Sequence, residues 1–279
     1  MKKGRASKTA LGVAIRRAAH QLVDMPPVLD DPITVQLVGA GYRGKMGRAS
    51  HKVGRDLRAF VAARSRYVED RLAEAVARGV RQYVVLGAGL DTFAYRNPFA
   101  GLRVFEVDFP ATQAWKRELL GEAGIDLPDG LRFVPLDFEY QTLGEGLAEA
   151  GFDGGSAAFF GCLGVVPYLT LEAFRATLGV IAQMPAGSGV GFDYAVAPES
   201  LSAVGRTAFD ALAGRVAAAG EPFRLFFTPE EMEGELRGAG FKRMEQLDSD
   251  RLNEIYFKDR DDGLKLSAVK LGMVATAWV

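Results

Sequence analysis

From Lys8 to about Leu22 the apolar residues recur at intervals of three and four, which predicts an amphipathic helix. The run Asp24-Met25-Pro26-Pro27 stops it, because proline has no amide hydrogen to continue the ladder. A second helical pattern spans about Leu57 to Arg78, with Phe60, Val61, Tyr67, Val68, Leu72 and Val76 on its apolar side and Gly79 placed to end it. Between them, residues 39–54 are glycine-rich and basic and read as loop or short helix.

After Gly79 the pattern changes to short apolar runs separated by helical stretches. Strands are predicted at Gln82–Leu86, Arg103–Val107, Arg132–Val134, Ala157–Phe160 and Gly189–Tyr194, and helices at Thr112–Ala123, Tyr140–Ala150 and Leu171–Met184. Repeated strand–helix order predicts an α/β, doubly wound sheet with ligands at the carboxyl ends of its strands. The Ala- and Gly-rich stretch from Pro198 to Pro222 has helical spacing and interrupts that rhythm, so it reads as an insertion over the site. Thr228-Pro229-Glu230-Glu231 starts another helix, ended by Gly238 to Gly240. Lys242–Leu247 and Ala268–Trp278 read as two closing strands, antiparallel partners. The expected division is a helical extension over residues 1–79 and a ligand-binding domain over 80–279, with a lid at about 196–227.

Composition narrows the classes. With 48% hydrophobic and 25% charged residues and a formal net charge of −1, nothing points to disorder or to nucleic acid as a partner. One cysteine, Cys162, excludes an internal disulfide, and with only two histidines a metal site is not expected. The basic start lacks the apolar region of a signal peptide, and no window has the roughly 20 apolar residues of a spanning helix, so no membrane partner and a cytoplasmic location are expected.

Val84-Val85-Leu86-Gly87-Ala88-Gly89 is an apolar strand running into glycines, which lets backbone turn sharply beneath a nucleotide-like ligand. Arg103-Val104-Phe105-Glu106-Val107-Asp108 is a second strand ending in acids, Glu106 standing 17 residues after Gly89, near the spacing at which an acid meets ribose hydroxyls. Both acids share one strand face. Glu106 is taken as the ribose acid, with Asp108 capping the next helix or supporting the loop. A third acid, Asp137, follows the next strand, where it meets an adenine amino group or caps a helix, with Leu136 or Phe138 against the ring.

These motifs resemble those of the leucine carboxyl methyltransferase family, in its bacterial branch related to the tetracenomycin-polyketide O-methyltransferase. The resemblance covers nearly the whole chain. It rests on Ser7–Ala10, Asp24-Met25-Pro26-Pro27 with Asp31-Pro32, and Ala63-Arg64-Ser65-Arg66-Tyr67. It continues through Leu86-Gly87-Ala88-Gly89-Leu90-Asp91-Thr92-Phe93-Ala94-Tyr95-Arg96, Phe105-Glu106-Val107-Asp108-Phe109-Pro110 with Lys116, Val134-Pro135-Leu136-Asp137, and Leu163-Gly164-Val165-Val166-Pro167-Tyr168-Leu169. It implies a class I methyltransferase (Rossmann-like) fold with an N-terminal helical extension and an inserted helical lid, and S-adenosylmethionine as cofactor. Carried over residue by residue, Arg64 pairs with the methionine carboxylate, Arg66 being its rival. Gly87, Ala88 and Gly89, with Asp91, form the turn under the methionine portion. Glu106 holds the ribose, and Asp137 with Leu136 or Phe138 the adenine. One departure is Leu163, where many relatives carry a glutamate near the sulfonium; beside it stands Cys162, a small hydrophobe rather than a nucleophile.

The acceptor implied is a small, aromatic or polyketide-like molecule carrying a carboxylate or hydroxyl. A carboxylate needs no base; for a hydroxyl the candidate bases are His20, His51, Asp193 and Tyr194. Competing readings are methylation of a protein C-terminus, a nicotinamide oxidoreductase, disfavoured by the lack of a third glycine, and a non-catalytic binding protein kept open by Leu163.

Overall fold

The computed structural model describes residues 7–39, 52–137 and 141–279. His51 and Phe138 therefore lie outside the described residues, as does most of the glycine-rich basic segment. The elements in chain order are α1 (Lys8–Val23), α2 (Pro32–Val38), α3 (Lys52–Ala77), β1 (Gln82–Leu86), β2 (Arg103–Asp108), α4 (Pro110–Glu122), β3 (Leu131–Pro135), α5 (Leu143–Glu149) and β4 (Phe159–Cys162). There follow α6 (Leu171–Ala182), β5 (Gly189–Ala195), α7 (Ala203–Ala218), α8 (Pro229–Ala239), β6 (Arg243–Leu247), α9 (Ser249–Tyr256) and β7 (Gly272–Trp278).

The seven strands form one sheet in the order β3-β2-β1-β4-β5-β7-β6. The first five run parallel, and β7 is antiparallel to both β5 and β6. Strand order reverses between β1 and β4, so the crevice beyond their carboxyl ends is where a doubly wound sheet takes its ligand. Alternation puts Phe160, Phe105 and Phe192 into the core on one face, and Phe159, Tyr83 and Val85 into the core on the other.

Several local expectations shift. Helix α3 begins five residues before the apolar stripe and ends where Gly79 adopts φ 103°, a conformation glycine takes without a Cβ penalty. Helix α5 starts at Leu143 rather than Tyr140, because Thr142 and Glu145 form a capping box that outcompetes Asp137 as the start signal. Strand β4 lies two residues later than the apolar run and takes in Cys162. Two short helices were not foreseen. α2 is announced only by its cap Asp31 and by Pro32 in its first turn, and α9 by its cap Asp248. The inserted stretch is helical, as α7, and an isolated bridge between Val196 and Phe227 closes its base.

The N-terminal arm is fastened to the sheet by buried charge. Arg17 of α1 donates Nη2–H to Asp31 Oδ2 (2.5 Å) and to Thr92 Oγ1 (2.7 Å), and its Nη1 reaches Asp91 Oδ2 (3.2 Å). Asp31 is fully buried; it also accepts from the Thr34 amide and from Thr92 Oγ1 (2.6 Å). A second buried centre holds the end of α1. His20 Nε2 accepts from the Val28 amide (2.9 Å), so its proton sits on Nδ1 and is donated to Asp24 (2.8 Å), which Arg58 of α3 grips through Nε and Nη2. Removing one partner of a buried pair strands the other without solvent. Arg17→Leu is therefore expected to lower stability by about 3–5 kcal/mol, read by urea unfolding. A loss under 1 kcal/mol would mean that the arm is not anchored there.

Candidate functional site

At the end of β1 the chain turns through Gly87 (φ 62°) and Gly89 (φ 48°), both in the left-handed region. A Cβ at Gly87 would lie 2.4 Å from Val165 Cγ2, and one at Gly89 3.1 Å from the Cβ of Ala10. The turn is thus closed in from above by the loop after β4 and by the first turn of α1. The Ala88 amide donates to the Val107 carbonyl (3.0 Å), and the Asp91 amide to the Ala88 carbonyl (2.7 Å). Asp91 accepts from the Phe93 amide (2.8 Å) while facing Arg17. Burial raises its pKa, but Arg17, Lys116 and Arg96 outweigh burial and hold it below the usual carboxylate range.

The two acids of β2 sit in different places. Glu106 is fully buried and accepts from Lys116 Nζ (2.6 Å), with its second oxygen lacking a hydrogen bond. Burial pushes it up from about 4.5 to about 7, against the pull of Lys116. Asp108, at the strand end, is partly accessible; its Oδ2 accepts from the Gly89 amide (2.5 Å) and its Oδ1 from the Phe109 amide (2.6 Å). It is not the cap of α4, whose N-cap residue is Phe109 with no side-chain cap bond. Burial holds Asp108 above its ordinary value despite these two amides. The acid beside the glycine turn is Asp108, and Glu106 lies one step inside the sheet.

Across the crevice, Arg64 points inward from α3. Its Nη1 donates to Asp193 Oδ2 (2.6 Å), whose Oδ1 accepts from the Gly164 amide (2.5 Å), and its Nε is buried with no partner. A Cβ on Gly164 would lie 3.0 Å from Arg64 Nη2, so the guanidinium lies directly under the loop after β4. Arg66, two residues on, points away and pairs with Asp70 (2.7 Å) in solvent. Leu163 packs against the core below α3. The acid near that loop is Asp193, on the neighbouring strand.

The candidate bases among the described residues are engaged in other contacts. Asp193 is ion-paired, and His20 is buried near the end of α1, bonded to Asp24. Tyr194 is buried, its hydroxyl donating to Gln246 (2.6 Å), and burial raises its pKa. Cys162 is buried, with burial and then Asp193 pushing its thiol up to about 12, which suits a small hydrophobe. Leu136 turns into the core, where a Cβ on Gly146 would meet its Cδ1 at 2.6 Å, and it does not offer its side chain to a ring in the crevice. Its amide donates to the Asp108 carbonyl (2.9 Å), while Asp137 is half-buried at the strand end with its carbonyl accepting from Gln141 (3.0 Å). The residues that sequence reasoning missed are Arg17 and Thr92, which fix the loop after the turn, and Val165, which covers Gly87. Among the described residues no group of three or more His, Cys, Asp or Glu is arranged to hold a metal ion.

Residues 10–182 match the family model described as leucine carboxyl methyltransferase. The Bacillus subtilis protein YktD, named as an S-adenosyl-L-methionine-dependent methyltransferase, is 33% identical over 95% of this chain and 95% of its own. A Frankia alni protein so named is 30% identical over 84% of this chain and 82% of its own. Among solved structures, a Thermobifida fusca protein named as a methyltransferase superposes with a TM-score of 0.59 at 18% identity, covering 99% of this chain and 96% of that one. A Streptomyces avermitilis protein of the family DUF574 gives 0.54 at 18% identity, covering 99% and 98%. The fold is that of the class I methyltransferases, and the chain belongs to the leucine carboxyl methyltransferase family.

Folding raises the Glu106 pKa, so the folded state favours its protonated form. The stability it contributes is full below about 4.5 and is lost as pH rises through about 7. In Glu106→Gln that part of the pH dependence should vanish from denaturant unfolding measured between pH 4.5 and 7.5; an unchanged slope would place the titration elsewhere. Gly87→Ala forces a Cβ into a left-handed residue, and is expected to cost about 1–2 kcal/mol before Val165 yields. Thermal melts of the two proteins check this, and equal melting would remove the steric argument.

Proposed function

We propose that this member of the leucine carboxyl methyltransferase family transfers a methyl group from S-adenosylmethionine to an oxygen of a small aromatic or polyketide-like acceptor. The observation that carries the reading is the joining of the glycine turn to a strand-end acid, the Gly89 amide held by Asp108 at the point where strand order reverses. The residues fit the cofactor. Gly87, Ala88 and Gly89 pass beneath its methionine portion, steadied by Asp91, and Arg64, with a buried Nε still unpartnered, faces the carboxylate end. Asp108 takes the ribose hydroxyls in place of Glu106: each of its oxygens accepts one amide and keeps a lone pair. Glu106 and Lys116 then position that strand end from behind. Asp137, with the backbone of Leu136, takes the adenine edge, and Cys162 borders the crevice at the end of β4.

S-adenosylmethionine supplies a sulfonium-borne methyl group, which an oxygen nucleophile takes by in-line displacement. The protein's share of that chemistry is to orient the acceptor and exclude water. The lid, residues 196–227, serves the second purpose: Glu221 just after α7 accepts from Ser7 and Thr9 at the start of α1, and the Arg224 amide donates to the Pro167 carbonyl (2.7 Å). The lid carries aromatic rings, Phe209 against Phe226 (5.4 Å) and Phe223 against Tyr168 of the loop after β4 (5.3 Å). They favour a flat acceptor over a peptide tail. No described candidate base is free, which favours a carboxylate or an already acidic phenol. Methylation of a protein C-terminal carboxylate is the second reading, supported by the name of the family. Among the described residues no helix is long and apolar enough to cross a membrane, and we read the enzyme as cytoplasmic.

Calorimetric titration should give binding of S-adenosylmethionine and none of NAD. Asp108→Ala is expected to weaken the cofactor by about 1–3 kcal/mol, the range for a hydrogen bond to a charged group, and more than Glu106→Gln does. The reverse order would return the ribose to Glu106. Transfer of labelled methyl to aromatic acids or phenols, and not to peptides ending in leucine, supports the small acceptor; labelling of the peptides alone overturns it.

A further inference from the structure

Strand β5 lies against helix α3 in a register set by a small residue. Gly191 and Asp193, two apart, share the strand face turned to α3, while Phe192 and Tyr194 point the other way into the core. A Cβ on Gly191 would fall 2.9 Å from Val68 Cγ2, and Asp193 meets Arg64, which precedes Val68 by one turn of α3. A helical turn rises about 5.4 Å and two strand residues about 6.6 Å, so the two contacts keep step. Phe192 pairs with Cys162, the last residue of β4, so Asp193 stands just past the end of that strand, level with the loop that follows it.

That loop ties the pair to the glycine turn. Gly164 (φ 70°) donates its amide to Asp193 Oδ1 (2.5 Å) and lies over Arg64. Val165, the next residue, covers Gly87, its Cγ2 standing 2.4 Å from where a Cβ there would be. Consecutive Cα atoms are about 3.8 Å apart, so one residue of loop separates the contact with the ion pair from the contact with the turn. Both charged side chains are buried, Arg64 at 7% exposure and Asp193 at 4%. Each has bonding capacity left: Arg64 Nε has no partner, and each oxygen of Asp193 accepts one hydrogen bond and keeps a lone pair. The acids nearer the turn are committed, Asp91 to Arg17, Asp108 to the Gly89 amide and Glu106 to Lys116. Leu163, which precedes Gly164, brings no charge.

A lone buried arginine suits an anion and a lone buried acid a cation, but the two side by side suit a ligand that carries both charges on one carbon. We propose that Asp193 is a cofactor-binding residue, taking the α-ammonium of S-adenosylmethionine while Arg64 takes the α-carboxylate, so that the buried pair reads the amino-acid end as a zwitterion. This rests on the methyltransferase reading above and deepens it, giving to β5 a contact that Leu163 cannot make. Pair and zwitterion are each neutral, so closing one on the other buries no net charge. The Gly164 amide keeps the carboxylate aimed while the ammonium takes a free lone pair.

The test titrates the full chain by calorimetry with S-adenosylhomocysteine and with its deaminated analogue, which carries hydrogen in place of the α-ammonium. S-adenosylhomocysteine should bind about tenfold or more tighter, the lower end for a charge-assisted bond. Asp193→Asn should bring the two ligands within about twofold of each other. A residue that merely steadied Arg64 would weaken both ligands alike and leave their ratio standing, and that result overturns the proposal. So does a ratio near one in the unmodified chain. Should Asp193→Asn leave Arg64 unbalanced and the chain unfolded, the double variant Arg64→Met with Asp193→Asn takes its place, since it strands neither charge, and its ratio should also fall to near one. A ratio unchanged there overturns the proposal equally. If the unmodified chain binds no S-adenosylhomocysteine, the methyltransferase reading fails and the proposal with it, whereas binding without preference fells the proposal alone.

Discussion

A guanidinium buried beside a fully buried carboxylate cannot be left half-made, and the pairing of Arg17 with Asp31 imposes that condition on everything around it. The two residues belong to the arm, but beyond it their hydrogen bonds go to Thr92 and Asp91, in the loop that continues the glycine turn. Arg96 extends the same network to Glu69 of α3 and lies 3.3 Å from Asp31. Arm, turn and α3 therefore hold one another. The arm is part of the machinery that shapes the crevice, and Ala10 sits on Gly89 as a result.

Much of this architecture was legible in the sequence because its signals are local. Strand–helix alternation, the glycine turn and the capping of α8 by Thr228 each depend on a few adjacent residues. Helices α2 and α9 were not legible, being seven and eight residues long, too short for periodicity to rise above its surroundings. The start of α5 was misread for a related reason. Asp137 and Thr142 are both good caps, and only the reciprocal bond from Glu145 decides between them.

The site was legible in part. Parity along β2 puts Glu106 and Asp108 on the same face, but parity says nothing of depth. Two residues of rise separate a carboxylate under α4, paired with Lys116, from one at the strand end that meets Gly89. Lys116 was visible as part of the motif, yet its partner lies ten residues away and is fixed by how α4 settles on the sheet. Arg64 and Arg66 were separable in principle, since positions two apart on a helix face nearly opposite ways, but which one faces inward depends on the packing of α3.

Strand β7 lies between β5 and β6, hydrogen-bonded to both, and is drawn from residues 272–278. During synthesis, which delivers the chain from its N-terminus, β5 exists long before its antiparallel neighbour does. Until Trp278 has left the ribosome, β5 is an open edge, its backbone amides and carbonyls on that side unpaired, and β6 has nothing to join. Such edges invite pairing with other chains. While residues 196–278 are being made, the nascent protein thus carries an adhesive seam inside its future sheet, a vulnerability to be met by chaperones or by rapid closure once β7 arrives.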